Sequence, residues 1–311
     1  MSLLSLCRKV VLVSKQYSVT GLELWQWWQE ALVLADRADV ATAELDYLLK
    51  EVAGLNRLTL RLQSFREQPS IDLSLTLSEL TILWEKRINQ RVPLQYLLGV
   101  TYWRDLRLEV ASGVLIPRPE TECLIDIIAE IVRKYPNLAV GNWVDLGTGS
   151  GAIALGLARQ LNRAKIHAVD ASEDALAIAQ INCQNLGLTE QVKFYQGSWW
   201  QPLEHLQGKI TGMVSNPPYI PHHMISDLQP EVREHEPVLA LDGGTDGLSD
   251  IRHLINTAPV YLISGGLWLI EMMAGQANMV EKMLIDQGSY HAIKIFEDLE
   301  GVERFILAFR K

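Results

Sequence analysis

The stretch Val144-Asp145-Leu146-Gly147-Thr148-Gly149-Ser150-Gly151-Ala152 changes its periodicity midway. Asn142 to Leu146 reads as a short buried strand and Ala152 to Leu161 as a helix, while the three glycines between them can adopt turn conformations closed to other residues. A strand that passes through such a turn into a helix leaves unpaired N–H groups at the edge of a sheet, where a nucleotide-type ligand can approach the backbone. Lys165 to Val169 is the next strand candidate, and Asp170 ends it, 19 residues beyond Gly151. A carboxylate in that place can accept hydrogen bonds from both hydroxyls of a ribose.

Outward from this turn the texture keeps alternating. Val192 to Tyr195, Gly212 to Ser215 and Leu267 to Glu271 are further strand candidates, with helical stretches such as Glu173 to Asn185 between several of them. Strands alternating with helices predict right-handed crossovers and a parallel sheet covered on both faces. His291 to Phe296 and Arg304 to Phe309 have no helix between them and predict an antiparallel pair at the sheet edge.

Towards the N-terminus the pattern is helical. Leu24, Trp28, Ala31, Leu32 and Ala35 fall on one face, as do Leu45, Leu48, Leu49 and Val52, a stripe ended by Gly54. A third stripe runs through Leu77, Leu80, Trp84 and Ile88, with Thr76 and Glu79 at capping-box spacing. Trp28 reads as core, whereas Trp25 and Trp27 cover other faces. Val100 to Trp103 and Leu106 to Val110, split by Arg104-Asp105, predict a hairpin. The expected organisation is a leader over residues 1–19 that is open to disorder, a helical domain over 20–92, a β-hairpin linker over 93–114, and the α/β sheet over 115–311.

At 311 residues the chain is long enough for one large or two unequal domains. Its 28 Lys and Arg against 37 Asp and Glu give a net charge of -9, which argues against a chain built to bind nucleic-acid phosphates. Cys7, Cys123 and Cys183 are odd in number and widely spaced, as expected of free thiols in a reducing, cytoplasmic compartment. Without nearby cysteines, His222 and His223 read as an exposed loop pair, and no metal is expected. Arg8 and Lys9 interrupt the apolar start, and no run of apolar residues is long enough to span a membrane.

The second chemical motif is Asn216-Pro217-Pro218-Tyr219, which follows the strand Gly212 to Ser215. Two prolines stiffen the loop and remove two donors, and Asn216 can both donate and accept. The Asn216 oxygen and the Pro217 carbonyl could hold a planar amide or a base-edge nitrogen, with Tyr219 stacked on its face. The glycine turn alone leaves two ligands open, because Gly147, Gly149 and Ala152 also fit the dinucleotide spacing of NAD proteins. Together with the Asn-Pro-Pro-Tyr loop it resembles S-adenosylmethionine-dependent methyltransferases that modify planar nitrogens. Ser150 lacks the spacing of a hydrolase nucleophile elbow.

The resemblance narrows at Leu115-Ile116-Pro117-Arg118-Pro119-Glu120-Thr121-Glu122, preceded by Pro93-Leu94-Gln95-Tyr96-Leu97-Leu98-Gly99. With Val232 to Pro237 and Leu241 to Leu248, this run resembles the protein-(glutamine-N5) methyltransferase family acting on peptide chain release factors, over roughly Trp25 to Arg310. The resemblance implies a helical N-terminal domain and a seven-stranded, mostly parallel, Rossmann-like methyltransferase sheet. It implies S-adenosylmethionine as cofactor and, as substrate, the glutamine of the Gly-Gly-Gln loop in class I release factors, modified by a monomer. Gly147, Thr148, Gly149, Ser150, Gly151, Asp170, Trp199 and Asn216 would contact the cofactor, with Trp199 against its adenine. Asn216, Pro217, Pro218 and Tyr219 would hold the glutamine, with Asn216, Pro217 and Tyr219 at the reacting amide. Ser198 stands where relatives often carry Asp, and Met273 where they commonly carry Gly. A ribosomal-protein glutamine or a nucleic-acid amino group are the competing acceptors. A scaffold without activity would require a damaged site, and the site residues are all present.

Overall fold

The structure, a computed structural model, describes residues 17–311. Residues 1–16 of the expected leader, with Cys7, lie outside the described residues. The last three residues of that leader are strand β1 (Tyr17–Val19), which pairs antiparallel with β2 (Ile71–Leu73). The chain divides into two units: one up to Val100 that also takes in Pro230–His235, the other Thr101–Gln229 with Glu236–Lys311.

The three apolar stripes build the first unit. Helix α1 (Gly21–Arg37) starts at a capping box between Thr20 and Glu23 and buries Leu24, Trp28, Ala31 and Ala35. Helix α2 (Ala43–Ala53) buries Leu45, Leu48, Leu49 and Val52 and ends at Gly54, whose φ of 64° closes the last turn. A short α3 (Arg57–Leu62) follows, then α4 (Leu77–Gln90), whose capping box joins Thr76 and Glu79 and whose buried face carries Leu80, Trp84 and Ile88. Trp28 meets Phe65 edge-on in the core, whereas Trp25 and Trp27 donate their indole N–H groups to Gln63 and Thr81. Helix α5 (Leu94–Leu98) completes the N-terminal part.

Strands β3 (Val100–Trp103), of which all but Val100 belongs to the second unit, and β4 (Leu106–Glu109) form the expected hairpin. Trp103, Leu106 and Leu108 are buried in a core shared with α6 (Cys123–Lys134) and α7 (Ala152–Gln160), so most of the hairpin is part of this unit's interior.

Seven strands make the main sheet. They are β5 (Val140–Leu146), β6 (Arg163–Asp170), β7 (Val192–Gln196), β8 (Ile210–Ser215), β9 (Leu262–Glu271), β10 (Tyr290–Glu297) and β11 (Glu303–Arg310). The order is β10-β11-β9-β8-β5-β6-β7; β11 runs antiparallel to both its neighbours, and the other pairs are parallel. One face is covered by α6, α7 and α8 (Glu173–Asn185). The opposite face is covered by α10 (Ser249–Tyr261) and α11 (Ala277–Gln287). Between β8 and α10, the short α9 (Pro230–His235) belongs to the first unit, where Glu231 pairs with Arg87 and Arg91. No helix among the described residues is long and apolar enough to cross a membrane.

Register decides where the ligand can go. Leu146 is level with Val169 on one side and with Ser215 on the other, and Ser215 is level with Ile270. Gly147, Asp170, Asn216 and Glu271 therefore stand together along the carboxyl edge of four neighbouring strands. The chain order also reverses between β5 and β8, the switch point at which open α/β sheets bind ligands.

Candidate active site

A cavity of about 290 Å³ opens at that edge. Gly147, Thr148, Gly149, Ser150, Asp170, Trp199, Asn216 and Pro218 line it, so two motifs 69 residues apart from Gly147 to Asn216 share one wall. Gly151, Pro217 and Tyr219 stand behind the lining.

The glycine turn is held from beneath. The N–H groups of Gly147 and Thr148 both donate to the Val169 carbonyl. The Thr148 hydroxyl donates to Asp145 Oδ2 at 2.6 Å, and the Ala154 N–H donates to the same oxygen at 3.0 Å. Asp145 is fully buried, and burial pushes its carboxyl up to about 7. It thus knits the turn to the first turn of α7, although the sequence reading gave it no role. Gly149 has a φ of 56° and no atom within 4 Å of where a side chain would begin. A side chain on Gly151 would begin 3.1 Å from Ala179, so this glycine, expected at the cofactor, serves the packing of the turn on α8.

Asp170 ends β6 as predicted. Its Oδ2 accepts the Gly149 N–H at 2.8 Å and its Oδ1 the Ser172 N–H at 2.9 Å. The carboxylate keeps acceptor capacity for a further donor. Burial raises its pKa despite these donors. Trp199, itself at a φ of 51°, lies over the turn, 3.7 Å from the Cβ position of Gly147, and hydrogen-bonds to Asp250. Ser198 is exposed beside it, and Asp250, which the sequence reading missed, supplies a carboxylate on the cavity wall.

The Asn-Pro-Pro-Tyr loop is anchored inward. The Tyr219 hydroxyl donates to Glu271 Oε1 at 3.0 Å, so its ring packs against the core where stacking on a substrate face was expected. Thr121 donates to the other Glu271 oxygen at 2.6 Å, and Asn216 Nδ2 donates to Thr121 at 3.2 Å. Glu271 is 1% exposed, and burial pushes it up to about 7. Gln276 Nε2 donates to the Tyr219 carbonyl at 3.0 Å and to the Gly247 carbonyl at 3.3 Å. The turn before it forms with Met273 in place, its N–H donating to Gln276 Oε1. At Gly243 a side chain would begin 2.8 Å from the Pro218 carbonyl, so only glycine lets the Leu241 to Leu248 segment lie against the loop. Arg118 makes a bidentate pair with the buried Glu236 at 2.8 and 2.5 Å, joining the Leu115 to Glu122 run to the chain after α9.

His222 and His223 are exposed, with His222 Nδ1 2.6 Å from Asp242. Cys123 and Cys183 are free thiols.

Acceptor oxygens for a ribose, a glycine at the wall with open space above it, an aromatic face and a neutral amide clamp fit S-adenosylmethionine. With the mostly parallel seven-stranded sheet, they define the class: an S-adenosylmethionine-dependent methyltransferase. Residues 124–232 match the methyltransferase small domain family. The hMettl16 catalytic domain shares the fold at 14% identity, with a TM-score of 0.54 over 85% of this chain and 91% of that one. A release factor glutamine methyltransferase of Synechocystis is 50% identical over 93% of this chain and 97% of its own length. One from Thermosynechococcus vestitus is 47% identical, over 93% and 98%. The chain belongs to the release factor glutamine methyltransferase family.

Proposed function

We propose that this enzyme methylates the side-chain N5 of the glutamine in the Gly-Gly-Gln loop of class I peptide chain release factors. The observation that carries the reading is the register of β5, β6 and β8, which places the glycine turn, Asp170 and Asn216 on one cavity. The names of relatives aligned over nearly the whole chain support the acceptor.

Asp170 would hold the ribose, the turn from Gly147 to Ser150 the amino-acid portion, and Trp199 the adenine. When bound, S-adenosylmethionine supplies an electrophilic methyl group on a sulfonium. An amide nitrogen is a weak nucleophile because its lone pair is delocalised into the carbonyl. Asn216 Oδ1, on the cavity wall, accepts one of its N–H bonds, which orients the nitrogen and raises its electron density; Pro217, expected as the second acceptor, stands outside the lining and stiffens the loop. Such positioning lowers a barrier by up to about 7–11 kcal/mol in favourable cases. Glu271, the buried carboxylate linked to Asn216 through Thr121, is engaged by Thr121 and Tyr219 and does not line the cavity; the proton departs to water after transfer. Tyr219 acts by anchoring the loop and Pro218 by shaping its wall.

The helical first unit serves as the second contact for the release factor, and the net charge of -9 favours a protein acceptor over nucleic acid. We place the reaction in the cytoplasm, carried out by a monomer. The test incubates the protein and labelled S-adenosylmethionine with release factors, ribosomal proteins and RNA, and maps the product by mass spectrometry. Label on the Gly-Gly-Gln glutamine is the expected result, and label on nucleic acid alone would overturn the assignment.

A further inference from the structure

Asn216 can work as an acceptor for an amide only if its own amide is turned the right way round. Oxygen and nitrogen ends of an asparagine have nearly the same shape, so packing alone does not choose between them. Its neighbours choose through the direction of their hydrogen bonds. Glu271 as a carboxylate can only accept. It takes one proton from Tyr219 at 3.0 Å and one from Thr121 at 2.6 Å. A hydroxyl has a single proton, so Thr121 then has only lone pairs to offer its other neighbour. That neighbour is Asn216 Nδ2, 3.2 Å away, which must donate. Oδ1 is left as the acceptor for the substrate.

We propose that Glu271 and Thr121 are positioning residues that fix the polarity of the clamp, the carboxylate orienting the hydroxyl and the hydroxyl orienting the Asn216 amide. Both come from parts of the chain to which the sequence reading gave no chemistry, Thr121 from the Leu115 to Glu122 run and Glu271 from the end of β9. Thr121 and Glu271 are 3% and 1% exposed, so water does not compete for the bond between them. With the amide reversed, its NH₂ would face the substrate NH₂, two donors without an acceptor. The relay rests on the proposed amide acceptor and explains how the site prefers an N–H donor to a carbonyl in that place.

The test compares Thr121→Ser, Thr121→Val and Glu271→Gln in the full chain, with a full-length class I release factor as methyl acceptor. Serine keeps the hydroxyl without the methyl group, and valine keeps the shape without the hydroxyl. Glu271→Gln keeps the shape but adds a donor that frees the Thr121 proton to turn towards Asn216. The expected kcat is within about threefold of wild type for Thr121→Ser and about 10- to 100-fold lower for Thr121→Val and Glu271→Gln, with S-adenosylmethionine affinity by calorimetry unchanged in all three. A packing role predicts the opposite order for serine and valine. That order, or equal rates, overturns the relay.

A second readout needs no methyl acceptor. In amide NMR spectra the Asn216 Nδ2 protons, assigned by their loss in Asn216→Asp, should exchange about tenfold faster with solvent in Thr121→Val than in wild type and Thr121→Ser, as their part-buried bond is lost. Equal exchange in all three overturns the relay whatever the acceptor. Wild-type protein that leaves release factors unmethylated sinks the acceptor assignment alone, and the exchange rates then decide the relay.

Discussion

Asp170, at the end of β6, accepts the backbone N–H of Gly149 at 2.8 Å, so the acid expected to hold the cofactor also holds the turn expected to cradle it. The Ser172 N–H occupies its other oxygen at 2.9 Å. Backbone donors point at both oxygens of this side chain, and only an acceptor at both ends satisfies them. An asparagine offers one. Asp170→Asn should therefore weaken S-adenosylmethionine binding by roughly 1–3 kcal/mol and lower the melting temperature as well. Titration calorimetry checks the first and thermal unfolding the second; unchanged affinity would rule out the ribose role.

Asn216 stands differently, because its side chain donates one hydrogen bond, to Thr121, among the described residues while its role lies in the cavity. Asn216→Ala should fold and lose on the order of 100-fold in turnover, as enzymes do when one positioned polar group at the reacting atoms is removed. Transfer of labelled methyl to a release factor at saturating cofactor measures it. Near wild-type turnover would remove Asn216 from the reaction.

The glycines of the turn separate by the same kind of reading. Gly149 and Gly151 have φ angles of 56° and 87°, so alanine at either adopts a left-handed conformation at a cost of about 1–2 kcal/mol. The added methyl group meets open space at Gly149 and lies 3.1 Å from Ala179 at Gly151. Gly149→Ala should lose about tenfold in cofactor affinity for that modest stability cost. Gly151→Ala should lose more stability, by a further ~1–3 kcal/mol for overpacking, and less affinity. Chemical denaturation paired with calorimetry distinguishes them, and identical profiles would contradict the division of roles.

How much of this the sequence disclosed follows from the range of its signals. Apolar runs mark the central strands of the main sheet, because a parallel strand buried on both faces must be apolar; β10 and β11 are marked instead by two strand-like runs with no helix between them. Strand ends moved outward, as with Leu262–Glu271, whose first residues include Gly265 and Gly266 and carry no apolar run. Asp170 and Asn216 were legible because each follows a strand. Glu271 follows the same rule, ending a strand level with Ser215, yet a lone acid at a strand end says nothing until register shows its neighbours. Tyr219 reads as a substrate contact from its place in the Asn-Pro-Pro-Tyr loop; the buried carboxylate that draws it inward lies 52 residues away. Asp145 sat within the quoted turn, and its role depends on bonds to Thr148 and Ala154 that only the folded turn creates.

The pH dependence follows from Glu271. Its carboxyl is pushed from 4.5 to about 7, first by burial and then by the charge of Glu120, while Thr121, Tyr219 and Arg304 draw it back. The relay to Asn216 works when Glu271 has lost its proton, so kcat at saturating cofactor should rise as pH passes upward through about 7 and level off above it. Stability runs the other way. A carboxyl whose folded pKa lies above its unfolded value stabilises the fold fully below about 4.5, and that contribution is lost as pH rises through about 7. Asp145, also raised to about 7, adds to the same loss, but it acts on the glycine turn and should register in cofactor affinity rather than in saturated turnover. Between pH 5 and 8 the denaturation midpoint should thus fall while kcat climbs. In Glu271→Gln the kcat limb should vanish and the midpoint should slope less; a limb that survives the substitution would assign the titration to another group.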